Sequence, residues 1–95
     1  MTIVLTSLAR VKDWSAVRRL NSEVLVGYAR DLRAIRYRVY RNTRDASQLL
    51  LLAELPDHAA VQDLARSVDE QLGAVAAAET ADNREWEVTD LDGIG

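Results

Sequence analysis

A chain of 95 residues, 48% hydrophobic and 28% charged, has the composition of one small globular domain rather than of a disordered chain. Twelve basic against fifteen acidic residues leave a net charge of -3. That balance argues against nucleic-acid or anionic-membrane partners, both of which need excess positive charge.

The absence of cysteine excludes disulfides, thiolate nucleophiles and thiolate metal sites. No apolar run is longer than LLLLA at 49–53, far short of the roughly 20 residues of a membrane span. The opening MTIVLTSLARV has no basic segment before its apolar one, unlike a signal peptide. A cytoplasmic protein is the expectation.

TIVLTSLARV (2–11) is rich in β-branched residues and leucine and reads as a first strand. Asp13 then offers an N-cap, and Trp14, Val17, Leu20, Val24 and Tyr28 recur in steps of three and four. That spacing predicts a helix over about 13–29 with those residues on its inner stripe. IRYRVYR (35–41) alternates strictly and predicts a second strand. NTRDAS (42–47) is a polar turn, and QLLLLAEL (48–55) is a nearly continuous apolar strand that Pro56 ends.

Asp57 caps a second helix with Val61, Leu64, Ala65 and Val68 inward. Ser67-Val68-Asp69-Glu70 has capping-box form, which favours a restart after a bend over one long helix. Alanines carry helical character to about Ala81, and Asp82 and Asn83 make a turn. EWEVTDL (85–91) alternates as a last strand, and the tail at 92–95 is expected to fray.

The order β-α-β-β-α-β predicts an α+β, ferredoxin-like fold in one domain, its helices covering one face of a four-stranded antiparallel sheet. Period-two geometry sorts the side chains. Ile3, Leu5, Ser7, Ala9, Val11, Ile35, Tyr37, Val39, Trp86 and Val88 are assigned to the helix side. The uncovered side takes Val4, Thr6, Leu8, Arg10, Arg36, Arg38, Tyr40, Glu85, Glu87 and Thr89. Pairing Tyr40 with Leu50 sets Arg38 against Leu52 and Arg36 against Glu54, a favourable cross-strand charge pair.

The uncovered face then carries Arg10, Arg36 and Arg38 against Glu54, Glu85 and Glu87, together with Val4, Leu8, Leu50, Leu52 and Tyr40. A neutral, partly aliphatic face of this kind predicts an interface with a second copy of the chain. The alternative is a merely solvated face whose exposed pairs contribute almost nothing.

RYRVYRNTRDASQLLLLAELPDHAAVQDLARS (36–67), with VKDWSAV (11–17) before it and EWEV (85–88) after it, resembles dimeric α+β-barrel proteins. That superfamily includes antibiotic-biosynthesis monooxygenases, small polyketide cyclases, haem-degrading enzymes and stress-responsive barrels, many of them actinobacterial. The resemblance implies a homodimeric barrel that binds an aromatic or polyketide-like small molecule between sheet and helices. It also implies monooxygenase or cyclase activity without metal or flavin. Strand one offers Ser7 where haem-degrading members carry asparagine, and the second helix has no tryptophan, so haem degradation is not implied.

Trp14, Tyr28, Tyr37 and Trp86, with Ser7 as a polar partner, are the candidate ligand-binding residues. Each has ordinary core packing as its competing reading. The candidate catalytic residues are His58, Tyr37 and Arg36. His58 or a tyrosine would remove a proton, and an arginine would stabilise the resulting oxyanion. His58 equally suits a solvated first-turn position. One histidine without cysteine makes no usual zinc site, and the four dispersed glycines make no phosphate loop. A non-catalytic dimerisation or sensory module is the competing functional reading.

Overall fold

The computed structural model describes residues 2–74, 78–87, 89 and 93, with backbone alone for 78–81. Strand β1 is Ile3–Val11, β2 Arg36–Arg41, β3 Gln48–Leu55 and β4 Ala78–Glu87. The first helical rod comprises α1 (Trp14–Leu20), a π-helical segment (Asn21–Leu25) and α2 (Val26–Asp31). A second rod, α3, spans His58–Ala74. The strands form one antiparallel sheet in the order β2-β3-β1-β4, the ferredoxin-like topology that the element order predicts. No helix among the described residues is long and apolar enough to cross a membrane.

Local chemistry explains the element starts. Asp13 Oδ1 accepts from the backbone N–H groups of Ser15 (2.9 Å) and Ala16 (3.3 Å), satisfying donors that an uncapped helix leaves orphaned. Asp57 Oδ1 does the same for Ala60 N–H at 2.8 Å. In the β2–β3 turn, Asn42 Oδ1 accepts from Arg44 N–H (2.8 Å) and Asp45 N–H (3.1 Å), an Asx turn. α2 stops at a Schellman motif. Arg33 N–H donates to Arg30 O and Ala34 N–H to Ala29 O, both at 3.0 Å. Arg33 sits at φ 63°, a left-handed position usually given to glycine.

The first rod departs from simple periodicity. Its middle turn is π-helical, closed by Val26 N–H donating to Asn21 O. A π turn holds about one residue more than an α turn, so the inner stripe slips by one position. Val17 and Leu20 are buried as expected, but past the wide turn Leu25 and Ala29 are buried, and Val24 and Tyr28 only half so.

The core lies between the helices and one sheet face. Ile3, Leu5, Leu51, Leu55, Leu64 and Leu72 are its largest wholly enclosed aliphatics. Each contributes about 1.5–3 kcal/mol through the water its surface gives up. β1 alternates as expected, with Ile3, Leu5, Ser7, Ala9 and Val11 all buried. The β2–β3 register is the expected one: Arg36 opposes Glu54, Arg38 opposes Leu52 and Tyr40 opposes Leu50.

Three expectations are corrected. α3 runs unbroken through Ser67-Val68-Asp69-Glu70, because Ser67 and Val68 are both buried and the turn packs as helix interior. Its described residues reach Ala74. Ala78 already belongs to β4, and Asp82 and Asn83 lie inside that strand. Pairing of Ala78 with Val11 and Thr80 with Ala9 overrides the helical preference of alanine.

The third correction is one of facing. β4 pairs Trp86 with Val4, Glu85 with Leu5 and Glu87 with Ile3. Directly opposed residues share a face, so Trp86 is on the uncovered side, and Glu85 and Glu87 are on the helix side at the sheet's edge. Trp86 is 49% exposed and its indole N–H donates to Thr6 Oγ1 at 2.7 Å. Ile35 precedes β2 and is exposed rather than covered. Val88 and most of the tail fall outside the described residues.

Candidate functional site

A groove of about 240 Å³ opens between the first helical rod and the edge strand β2. Trp14, Arg18 and Asn21 line it from the helix, and Val39, Tyr40 and Arg41 from the strand. Successive helical turns place Trp14, Arg18 and Asn21 on one line. Asn21 opens the π segment, where the widened turn presents its side chain to the sheet. Such turns recur at functional sites.

The groove's polar groups are fixed from behind. Trp14 Nε1–H donates to Ala46 O at 2.7 Å, which pins the indole. The Arg41 guanidinium lies over its ring, 4.5 Å from the centroid, a cation–π contact. The Tyr37 hydroxyl donates to Asn21 Oδ1 at 2.5 Å. Burial holds that phenol's pKa far above its usual value, because the anion would lose its hydration. Tyr37 is therefore a neutral donor at physiological pH and not a base. Asn21 lines the groove, its oxygen engaged by Tyr37, and its amide N–H₂ has no hydrogen-bond partner among the described residues.

Of the expected ligand-binding residues, Trp14 lines this groove and Tyr37 supports it through Asn21. Tyr28 packs half-buried against the core. Ser7 lies two strands away, 1% exposed, and its hydroxyl donates to Asn83 Oδ1 at 2.5 Å. Asn83 Nδ2 in turn donates to both carboxylate oxygens of Asp69, at 3.2 and 3.0 Å. Trp86 stands on the opposite sheet face.

The expected catalytic residues are not brought together. Tyr37, Ala53, Leu5 and Glu85 form one row across the sheet, so Tyr37 and Glu85 are three strand spacings, about 14 Å, apart. His58 Nδ1 meets Glu85 Oε2 at 2.8 Å at that far edge. Arg36 is on the uncovered face, with Glu54 opposite it. Asn21, Arg18 and Arg41 are the site residues that sequence spacing missed. The i, i+4 pair Trp14–Arg18 was visible, but the turn that recruits Asn21 was not.

The uncovered face carries its own concavity, about 450 Å³, with Trp86 and Arg84 beside Thr6, Leu8 and Leu50. Val4, Leu8, Leu50 and Leu52 are half-buried there, and Tyr40 is 46% exposed. Arg84 Nε pairs with Asp82 Oδ2 at 2.8 Å. Arg10, Arg36 and Arg38 form no ion pair among the described residues.

No family model matches the sequence, and no curated protein sequence matches it. Solved structures do. SnoaB, a cofactor-independent oxygenase from Streptomyces nogalater, superposes with a TM-score of 0.74 at 9% identity over 95% of each chain. A candidate antibiotic biosynthesis monooxygenase from Chloroflexus aurantiacus gives 0.65 at 15% identity over all of both chains. A dimeric ferredoxin-like protein from an uncultured marine organism gives 0.64 at 11% identity, over 95% of this chain and 98% of its own.

The chain has their fold. The resemblance read in the sequence holds at the level of architecture: its structural neighbours are ferredoxin-like proteins of the antibiotic-biosynthesis-monooxygenase kind. Identities this low carry the fold and nothing finer.

Proposed function

We propose that this protein is a homodimeric α+β barrel that binds an aromatic, polyketide-like metabolite in the groove between α1 and β2 and oxygenates it without a cofactor. The observation that carries the reading is the cluster of Trp14, Arg41, Asn21 and Tyr37, held in place by the contacts at Ala46 and the π turn. An indole face, two guanidiniums and an amide N–H₂ suit a planar substrate that becomes an oxyanion. The shared fold with a cofactor-independent oxygenase supports the same reading.

The chemistry follows from charge. An activated ring CH₂ loses a proton to water, its acidity raised by Arg18 and Arg41. The carbanion, delocalised onto a ring oxygen that those groups stabilise, gives electrons to dioxygen. The net change, CH₂ and O₂ to C=O and H₂O, needs no added reductant. Tyr37 keeps its proton throughout and holds Asn21 in place.

A non-catalytic module is the second reading. It is favoured by the fact that the polar tips of Trp14 and Tyr37 already have protein partners, as packing residues do.

The half-apolar uncovered face supports the dimer, with Arg10, Arg36, Arg38, Tyr40, Glu54 and Trp86 as its contact set. Glu85 and Glu87 would join only at the sheet's edge.

The test is oxygen uptake with dithranol, a hydroxylated anthrone, and no added metal or flavin. One oxygen consumed per anthrone, diminished in Arg18→Gln, is expected. Uptake no faster than in buffer, with dithranol still bound, favours the module. Sedimentation should give a dimer that Leu52→Arg, placed on the uncovered face, converts to a monomer; a wild-type monomer would remove the barrel.

A further inference from the structure

We propose that the groove between α1 and β2 selects a small aromatic acid, up to three fused rings bearing a group ionised at neutral pH, over neutral aromatics of the same shape. This rests on the reading that the groove holds a small molecule, and it names the class.

The charge count carries it. The lining includes two guanidiniums and no carboxylate, on a chain whose net charge is -3. Elsewhere Arg66 pairs with Asp63 and Arg84 with Asp82, each at 2.8 Å, while Arg10, Arg36 and Arg38, which form no ion pair among the described residues, lie on the uncovered sheet face and in no common groove with this one. Arg18 and Arg41 find no acidic partner among the described residues.

Local sequence leaves them unpaired. On the helix, Arg18 has Trp14 and Ser15 one turn before it and Asn21 and Ser22 one turn after, none of them acidic. Arg41 is opposed across the ladder by Leu49. The one ionisable group behind them, the Tyr37 phenol, is kept neutral by burial. Nothing in the groove offsets its positive field.

Geometry narrows the anion. Arg41 lies over an indole that is itself anchored, which restricts its planar fork. A guanidinium carries paired N–H donors that match a carboxylate, and its planar face can stack on a further ring. The Asn21 N–H₂ adds a neutral donor beside it. Ligand pockets usually enclose about 300–1,000 Å³, and 240 Å³ suits at most three fused rings rather than a longer polycyclic skeleton.

The experiment compares naphthoate with naphthamide, equal in shape and unlike in charge, by calorimetric titration of the full chain. Nitrogen-edited proton spectra identify the site, since the two indole N–H signals separate Trp14 from Trp86. Naphthoate should bind about tenfold tighter, the effect of a charge-assisted contact of about 1.4 kcal/mol. The Trp14 signal should shift and the Trp86 signal stay. Arg18→Gln and Arg41→Gln should each weaken naphthoate several-fold and move naphthamide less than about twofold.

Equal affinities, or parallel losses of both ligands in the variants, would overturn anion selection and leave the small-molecule reading standing. Binding that moves only Trp86 would assign the ligand to the uncovered face and overturn the proposal. Binding of neither compound overturns the proposal together with the function it rests on.

Discussion

Replacing Asn21 by alanine is expected to have opposite effects in two backgrounds. In the native protein the change strands the Tyr37 hydroxyl, a half-buried donor whose acceptor is Asn21 Oδ1. An orphaned buried donor costs about 1–3 kcal/mol. Alanine returns about 0.5 kcal/mol because it favours helix more than asparagine does. The net expectation is a loss of about 1.5 kcal/mol, or about 6–12 °C in Tm for a chain of this size.

Tyr37→Phe removes the same bond but strands only the asparagine oxygen, which belongs to a half-buried side chain that water reaches. Its cost is about 0.5–1.5 kcal/mol. With the hydroxyl gone, Asn21→Ala has nothing left to strand, and the helix gain of about 0.5 kcal/mol remains. Urea unfolding of the four proteins closes the cycle, read as midpoints at constant m. Additivity within about 0.5 kcal/mol, or a loss from Asn21→Ala in both backgrounds, would show that the bond does not hold the groove together.

The Tyr37 phenol also sets an alkaline limit. Its folded pKa is raised by burial, so the unfolded chain loses its proton first, above about pH 10. Stability should be full below that value and fall as pH rises beyond it, and Tyr37→Phe should flatten the fall in a pH series of urea midpoints. Leu64→Ala, at a side chain with 0% exposure in the middle of α3, should cost about 2.7–5 kcal/mol by chemical denaturation; a loss under about 1 kcal/mol would mean α3 is not pinned to the sheet there. Arg33→Gly, at the left-handed residue of the Schellman motif, should raise Tm by relieving about 1 kcal/mol of backbone strain; a fall would show that the arginine side chain outweighs its own backbone.

Legibility from sequence followed how many constraints each segment carried. β3 and its register with β2 were fixed to the residue, and β2 missed only at Ile35, because strict alternation, a polar turn and the Arg36–Glu54 pair all point to one register. β4 carried a single cue, the alternation of EWEV, and apolarity put Trp86 inward. Its facing is instead set by pairing with β1, since Val4 opposes it, and the uncovered face has room for an indole beside Leu8 and Leu50. Ala78 and Thr80 read as helical because propensity is local, while their strand partners Val11 and Ala9 lie far earlier in the chain. At the site, Trp14 and Tyr37 were found by apolar spacing. Asn21 was not, because an asparagine in a helix carries no signal until a partner is opposite it. Asn83, which joins Ser7 to Asp69, was hidden by the same error that began β4 too late.

The wide turn at Asn21–Leu25 amounts to a stored one-residue insertion. Each residue of an ordinary helix advances the azimuth by about 100°, so homologues lacking the extra residue would have to be gapped here before their helices could be compared position by position. Aligned without that gap, Leu25 and Ala29 would be matched to solvent-facing neighbours, and the family signal of this rod would cancel itself over its second half.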